Sequence, residues 1–126
     1  MLNSVGVKLP DNVDWFGLFN RLEKLDKSWN KYLSLIKNGI NYNPYDTSLD
    51  TAYEQLIIYL LFRHFTDCQY DDMIKERILF AALIYKIIRT MNVSNSIEEL
   101  LEISRIYSCE IEYSDENINQ ILLSLD

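Results

Sequence analysis

The chain has 126 residues and a formal net charge of −7; 48% of its residues are hydrophobic and 25% are charged. This length fits one domain, and this composition is ordinary for a globular protein, which excludes an intrinsically disordered chain. The longest apolar runs, residues 56–62 and 78–85, are far shorter than the roughly 20 residues that a membrane-spanning helix needs. The first residues do not resemble a secretory signal, so we expect a cytoplasmic protein.

The negative charge is concentrated at the C-terminal end of the chain. Residues 92–126 contain one basic side chain, Arg105, and eight acidic ones, whereas residues 1–50 and 51–91 are each neutral. Such a surface repels phosphate backbones, so we do not expect nucleic-acid binding. It is either a solvated face that keeps the protein soluble or a surface that attracts a basic protein partner.

The first 13 residues contain no sustained period and predict an extended lead-in, followed by one helical domain over residues 14–126. Asp14 can cap a first helix over residues 14–26, because its carboxylate can accept from free N–H groups in the opening turn. The apolar residues of this helix recur at helical spacing. The pattern therefore predicts an amphipathic helix that covers the centre of the domain.

A short second helix follows and covers the centre in the same way. Asp26 or Ser28 starts it, and its apolar side chains recur at helical spacing. Gly39 stands where a left-handed residue can end it.

Residues 40–49 form a turn-rich connection that contains Pro44 and an Asp-Thr-Ser cluster. A loop of this length with Tyr42 and Tyr45 could be a recognition surface. The alternative is that the loop packs its tyrosines on the core.

Two helical patterns, over residues 51–66 and 71–91, are the most apolar part of the sequence. Thr51 and Glu54 match a capping box and indicate where the first helix begins. Because a helix that is apolar nearly all round has no face for water, the sequence predicts that this central pair is buried.

The C-terminal region predicts two further helices. A second capping box, Ser96 to Glu99, begins a helix that ends near residue 111, and residues 113–126 end in an apolar stripe that docks as a short helix. In the helix that begins at Ser96, the side chains predicted to face the core are Ile97, Leu100, Leu101, Ile103, Tyr107 and Ile111. With no strand pattern, we expect an all-α fold: a single helical bundle of five or six helices with a buried central helix pair.

Side chains that carry chemistry are sparse. Cys68 and Cys109 have no metal-ligand spacing and are predicted to be buried free thiols, with a redox or metal-assisted role as the alternative. The three glycines are isolated, so no phosphate-binding loop is expected. His64 is either a general base held by a carboxylate or a hydrogen-bonded structural residue. Leu61 stands where a di-metal Glu-x-x-His pair would need Glu.

Glu110 and Glu112 are two residues apart, which places them about 160° apart around a regular α-helix. They are therefore not expected to act as a tight catalytic pair. Glu112 could share a face with Asp115 or Glu116, and solvation is a simpler interpretation of these carboxylates than metal binding.

Three parts of the sequence resemble the flagellin lysine-N-methylase family. Residues 107–117, Tyr-Ser-Cys-Glu-Ile-Glu-Tyr-Ser-Asp-Glu-Asn, are similar to its C-terminal signature, Tyr-Ser-Arg-Glu-Val/Ile-Glu-His-Ser-Asp-Glu-Asn. Residues 53–54, 59–65 and 70–71 resemble its Tyr-Glu-Asn, Tyr-Leu-Leu-Phe-Arg-His-Phe and Tyr-Asp stretch, at compatible separation. A weaker third piece consists of Leu25, Asp26, Trp29, Tyr32 and Leu33.

The resemblance implies a protein that adds methyl groups to lysine side chains of flagellin. In the full-length family S-adenosylmethionine is the donor, and cysteines bind an iron–sulfur cluster. The family's cysteine-rich portion is not found in this sequence, so no cofactor or metal is expected in this chain. Cys109 and Tyr113 replace the family's Arg and His, which argues against a direct catalytic role for this segment.

The positions that match the family pattern are the candidate functional residues, although the resemblance identifies none of them as catalytic. They are Arg63, His64, Glu110, Glu112, Ser114, Asp115, Glu116 and Asn117. Structural roles are the alternative: Arg63 could form an interhelical ion pair with Glu110 or Glu112, and Ser114 and Asn117 could cap a turn.

Two functions remain open. The first is a C-terminal helical domain that supports methyl transfer to a flagellin-like substrate, which its acidic end would attract, by a catalytic part that this chain lacks. The second is a stand-alone acidic adaptor module that binds other proteins without enzymatic activity. The chain alone is not expected to be catalytically complete.

Overall fold

The computed structural model describes residues 9, 13–22, 24, 26–43, 45–65, 73–112 and 114–125. Within these ranges the chain forms six α-helices and no strand, which confirms the all-α prediction. The helices are α1 (Trp15–Arg21), α2 (Lys27–Leu33), α3 (Asp50–Phe65), α4 (Ile74–Met91), α5 (Ile97–Tyr107) and α6 (Asp115–Leu125). A 3₁₀ turn (Ser34–Ile36) extends α2, and a π-helical turn (Ser108–Glu112) joins α5 to α6.

The helix α4 is the centre of the bundle. Eleven of its residues are buried, and it packs against α3, α5 and α6 and against the 3₁₀ turn after α2. Phe80, Leu83, Ile84 and Ile87 on this helix are almost completely inaccessible to solvent. Contacts on several sides explain why its sequence carries two apolar stripes rather than one.

The helix α3 is buried along one face only, in contrast to the prediction for the central pair. Tyr53, Ile57, Leu60 and His64 face the core, but Ile58 is 57% exposed and Phe62 is 73% exposed. The apolar composition did not reveal this difference, because the number of faces a helix buries depends on how many neighbours surround it. α3 packs mainly against α4, so its outer side remains at the surface.

The starts of α1 and α2 follow local capping rules. Asp14 accepts a hydrogen bond from the Gly17 backbone N–H at 3.0 Å, and Asp26 accepts from the Ser28 N–H at 2.8 Å. The first helix ends at Arg21 rather than at residue 26. It is shorter than predicted because the backbone is already extended at Leu22; Asp26 is extended too, and its N–H donates to a distant side chain.

Two predicted helix boundaries were only partly right. α3 begins at Asp50, so Thr51 lies inside the helix and is not its N-cap. Ser96 does cap α5, accepting from the Glu99 N–H at 3.2 Å, but Glu99 does not complete the box. Its carboxylate instead accepts from the Tyr32 hydroxyl at 2.8 Å, while Asn92 receives the Ser96 N–H.

The predicted left-handed residue after α2 is confirmed, since Gly39 has a φ of +112°. The loop after it is attached to the core by Arg89 of α4. The Arg89 guanidinium lies 4.6 Å from the Tyr42 ring centroid and donates to the Asp46 carbonyl at 2.9 Å. Tyr42 therefore packs on the core as one alternative predicted, whereas Tyr45 is exposed.

The last two helices dock as amphipathic elements. The apolar stripe of α6 is buried, as predicted, through Ile118, Ile121, Leu122 and Leu125. On α5, however, Leu101 and Ile97 are exposed, although both were predicted to face inward. The inward face of this helix is narrower than the sequence pattern indicates, because only one side of α5 contacts its neighbours.

Some predictions concern residues outside the described ranges. These are most of the lead-in over residues 1–13, Cys68, the Tyr70–Asp71 match, and Tyr113. No helix in the described part of the chain combines the length and apolarity that crossing a bilayer requires.

The contrast between α3 and α4 can be tested with two phenylalanine variants. Phe80→Ala should lower the free energy of unfolding by about 3–5 kcal/mol, because it removes a fully buried ring from the central helix. Phe62→Ala, the matched control on the outer side of α3, should change it by less than about 0.5 kcal/mol. Urea unfolding followed by circular dichroism measures both. Equal losses would contradict the exposed position of Phe62.

Candidate functional site

The π-helical turn Ser108–Glu112 contains the two glutamates singled out in the sequence, and both are buried. Glu110 is 1% exposed and Glu112 is 4% exposed, with Ile111 between them fully buried. The expectation that these carboxylates are solvated is therefore wrong. A turn of i→i+5 bonds is rare and often marks a functional position, and here its last three residues are enclosed by their neighbours.

Glu112 joins this turn to α3. Its Oε2 accepts a hydrogen bond from the Tyr59 hydroxyl at 2.7 Å and lies 3.4 Å from Nε of Arg63. Arg63 also donates through Nη2 to the Glu112 carbonyl at 3.3 Å. The structural alternative predicted for Arg63, an interhelical ion pair, is thus what the structure contains. Because the Arg63 side chain is 35% exposed, solvent screens part of this attraction.

Glu110 joins the same turn to α2 and α6. Its Oε1 accepts from the Asp26 backbone N–H at 2.6 Å, and its carbonyl accepts from Nδ2 of Asn117 at 2.9 Å. Asp26 in turn caps α2, so one buried carboxylate holds the start of a distant helix. Glu110 and Glu112 bind partners on different helices, in agreement with the wide angle that their spacing predicts.

His64 is a buried structural histidine. It is 1% exposed, its Nε2 lies 2.8 Å from the Tyr107 hydroxyl, and its ring packs on Phe80 with centroids 4.3 Å apart. Burial, followed by the positive charges of Arg63 and Arg77, lowers the pKa of the imidazole to about 3. A neutral imidazole that is hydrogen-bonded to a tyrosine rather than to a carboxylate is a weak general base at neutral pH.

Three residues that bond to these side chains or to their backbone were not predicted as site residues: Tyr59, Arg77 and Tyr107. Arg77 is buried on α4 and donates to the His64 carbonyl at 3.1 Å. Burial, and then the charge of Glu112, raises the pKa of Tyr107 well above its ordinary value. Tyr59 and Tyr107 lie within stretches that resemble the family, so the resemblance could have identified them as site residues. Nothing in the pattern of α4 indicated a structural role for Arg77.

Within the described part of the chain, two buried polar atoms of these residues have no hydrogen-bond partner: Nδ1 of His64 and Oε1 of Glu112. Such atoms cost roughly 1–3 kcal/mol each when they are withdrawn from water. We call Tyr59, Arg63, His64, Tyr107, Glu110 and Glu112 the polar cluster. Four of these residues are buried, whereas Tyr59 is 48% exposed and the Arg63 side chain is 35% exposed. Its bonds connect helices, so its evident chemical effect is to hold α2, α3, α5 and α6 in one arrangement.

The other predicted site residues lie at the start of α6. Ser114 caps this helix by accepting from the Asn117 N–H at 3.2 Å, and Asn117 is buried. Asp115 and Glu116 are exposed. The structure therefore separates the predicted set into six residues with internal hydrogen bonds or an ion pair and two surface carboxylates.

Cys109 is exposed, so the prediction of a buried thiol is wrong for this residue. The π-helical turn buries Glu110, Ile111 and Glu112 but leaves Cys109 at the surface. In the described ranges, no three His, Cys, Asp or Glu side chains are grouped so that they could hold a metal ion.

The ion pair in the polar cluster can be tested by comparing two glutamates. Glu112→Gln should lower the free energy of unfolding by about 1–3 kcal/mol, because Arg63 loses its buried partner. Glu116→Gln is the control and should have a much smaller effect, because this side chain is exposed. Urea unfolding at pH 7 measures the difference. If the free energy of unfolding falls equally in the two variants, the buried ion pair stabilises the fold no more than an exposed carboxylate does.

The buried histidine predicts how stability depends on pH. The unfolded chain protonates His64 near its ordinary pKa of 6.5, whereas the folded protein keeps it neutral down to about 3. The stability from this group is therefore complete above pH 6.5 and is lost as the pH falls toward 3, by up to about 1.4 kcal/mol per pH unit. His64→Gln should remove this part of the pH dependence.

His64 is the only histidine in the chain, so its ring resonances can be followed by NMR without ambiguity. We expect the imidazole of the folded protein to stay neutral at pH 5. Protonation near pH 6.5 in the folded state would contradict the buried position.

Comparison of the chain with protein-family models, with curated proteins and with solved structures gives no match.

Proposed function

We propose that this chain is a helical support domain of a flagellin lysine-N-methylase-like protein. One observation supports this most directly: the three stretches that resemble the family meet in the polar cluster. Asp26 of the weaker third piece donates its backbone N–H to Glu110 of the C-terminal signature, and Tyr59 and Arg63 of the residue 59–65 stretch bond Glu112. These partners are 49 to 84 residues apart in sequence. Separate matches that converge in space act as one unit, which favours a common origin over chance.

In this proposal the polar cluster positions helices and does not react with substrate. Its carboxylates are almost fully buried and already receive hydrogen bonds, and its histidine is neutral and bonded to a tyrosine. Groups in this state are suited to fixing the shape of a domain. The proposed role is therefore to support a catalytic part of the protein or to present a substrate to it.

The cofactors implied by the resemblance do not fit the residues of this chain. Protein iron–sulfur clusters are generally held by four cysteine thiolates, and the whole chain has two cysteines. Its three glycines are isolated and form no cofactor-binding loop. We therefore assign S-adenosylmethionine and the iron–sulfur cluster to another part of the proposed protein, and we assign no step of methyl transfer to this chain.

The proposal includes a cytoplasmic location and a lysine-bearing substrate such as flagellin. Since Glu110 and Glu112 are buried, they cannot attract this substrate, which corrects the expectation for the C-terminal acidic residues. Glu98, Asp115 and Glu116 are exposed and remain available. Exposed carboxylates raise the rate of encounter with a cationic partner, and salt weakens the effect.

A second candidate function is an adaptor module without a catalytic partner. The observation that favours it is the exposed apolar side of α3, where Ile58 and Phe62 are open to solvent next to Tyr59. Adjacent exposed apolar side chains often mark a protein interaction surface. The genomic context distinguishes the two candidates: an in-phase upstream reading frame with a cysteine cluster favours the support domain, and a genuine start at Met1 favours the adaptor.

The proposal predicts that the chain binds flagellin and that salt weakens this binding. A variant with Glu98→Gln, Asp115→Asn and Glu116→Gln should bind at least about tenfold more weakly, because it lacks the exposed carboxylates. Isothermal titration calorimetry at 50 mM and 500 mM NaCl measures both effects.

The matched control is Glu112→Gln, which removes a buried charge and should leave flagellin binding unchanged wherever the variant is folded. Absent binding, or binding that does not depend on salt, would remove flagellin as the substrate. If flagellin binding is lost only when Ile58 and Phe62 are changed to Ser, the adaptor function is favoured.

A further inference from the structure

An asparagine followed by a glycine, Asn38 and Gly39, lies just after the 3₁₀ turn that extends α2. Both residues are exposed. No described atom lies within 4 Å of the position that a Gly39 side-chain carbon would occupy, so the space beside this peptide bond is open. The Asn38 side chain forms no hydrogen bond with another described residue. Its amide is therefore free to turn and to react.

An asparagine side chain is chemically labile when the next backbone nitrogen can reach it. That nitrogen loses its proton and attacks the amide carbon, which closes a succinimide ring. A side chain on the attacking residue hinders the approach, whereas glycine has none and adopts many backbone conformations. Gly39 is the only glycine in the chain that follows an asparagine. The sequence therefore places the most favourable attacking nitrogen directly after Asn38.

One hydrogen bond in the folded protein opposes this attack. The Gly39 N–H donates to the Ile36 carbonyl at 3.0 Å and closes the turn after α2. Exposed helix ends and turns open locally at a free-energy cost near zero. The attacking nitrogen is therefore released often, and the fold slows the reaction at Asn38 only slightly.

A second asparagine that precedes a small residue, Asn95 before Ser96, is in a different state. Nδ2 of Asn95 donates to Oδ2 of Asp46 and to Oγ of Ser48, each at 2.7 Å. The Ser96 N–H donates to Oδ1 of Asn92 at 3.3 Å. Both the leaving amide group and the attacking nitrogen are therefore held, and the fold protects this asparagine.

We propose that Asn38 is a site of spontaneous covalent modification, at which the side-chain amide is converted to an acid. The bond from the Gly39 nitrogen to Cγ of Asn38 forms, the Cγ–Nδ2 bond breaks, and ammonia leaves with the proton that the backbone nitrogen gave up. Water then opens the ring at either carbonyl and gives aspartate or isoaspartate. Each product adds a negative charge after α2. This modification goes beyond the proposed support function and does not depend on it.

The test compares the full chain in its folded state with the same chain unfolded in urea, both kept at mildly alkaline pH. Peptide mass spectrometry measures the modified fraction at each asparagine. We expect Asn38 to convert in the folded protein to a mixture of aspartate and isoaspartate. Unfolding should accelerate the conversion of Asn95 at least about tenfold more than that of Asn38, because only Asn95 is protected by the fold.

The proposal is overturned if Asn38 stays unmodified in the folded protein while it converts in urea. Aspartate without isoaspartate would rule out the succinimide route. Circular dichroism of the incubated sample shows that the chain is still folded.

Two exposed asparagines serve for a matched pair of variants. Asn38→Gln should abolish the modification at this position, because the longer side chain has to close a larger ring. Asn30→Gln, on α2 and followed by Lys31, should leave the rate at Asn38 unchanged. If the folded Asn38→Gln chain gains mass as fast as the unaltered chain, another residue is the one modified and the proposal is wrong.

Discussion

The structure depends on the burial of two carboxylates in the turn between α5 and α6. A carboxylate withdrawn from water is unfavourable unless donors replace the water. Glu112 finds its donors on α3 and Glu110 finds one at the start of α2. The position of the turn therefore depends on the positions of α2 and α3, and their positions depend on the turn. A packing arrangement that moved one of them would leave a buried charge without its donors.

This constraint operates together with a conventional apolar core around α4. The core supplies non-directional stabilisation, because it removes apolar surface from water. The carboxylates add direction, because hydrogen bonds of 2.6 Å and 2.7 Å are satisfied in few alternative arrangements. Fold specificity from buried polar groups is known in some proteins, and the polar cluster places four helices under such a restraint.

The division between buried and exposed groups also bears on function. The side chains that looked most reactive, His64, Glu110 and Glu112, are engaged in internal bonds. The groups still available to a ligand or partner lie at the surface: the outer side of α3 and the exposed carboxylates at the start of α6. A protein of this kind affects others by the surfaces it holds in place, which agrees with the proposed support function.

The sequence by itself determined the all-α class, the caps at Asp14 and Ser96, and the left-handed Gly39, and it left the start of α2 open between Asp26 and Ser28. Each of these is a local property, decided by side chains within a few residues of the backbone groups they bind. Only the tertiary structure decided that α3 has an open side and that Glu110 and Glu112 are buried. The donors that permit this burial are 49 to 84 residues away. A charged residue at helical spacing looks the same in the sequence whether its hydrogen bonds in the folded protein are made with water or with a distant part of the chain.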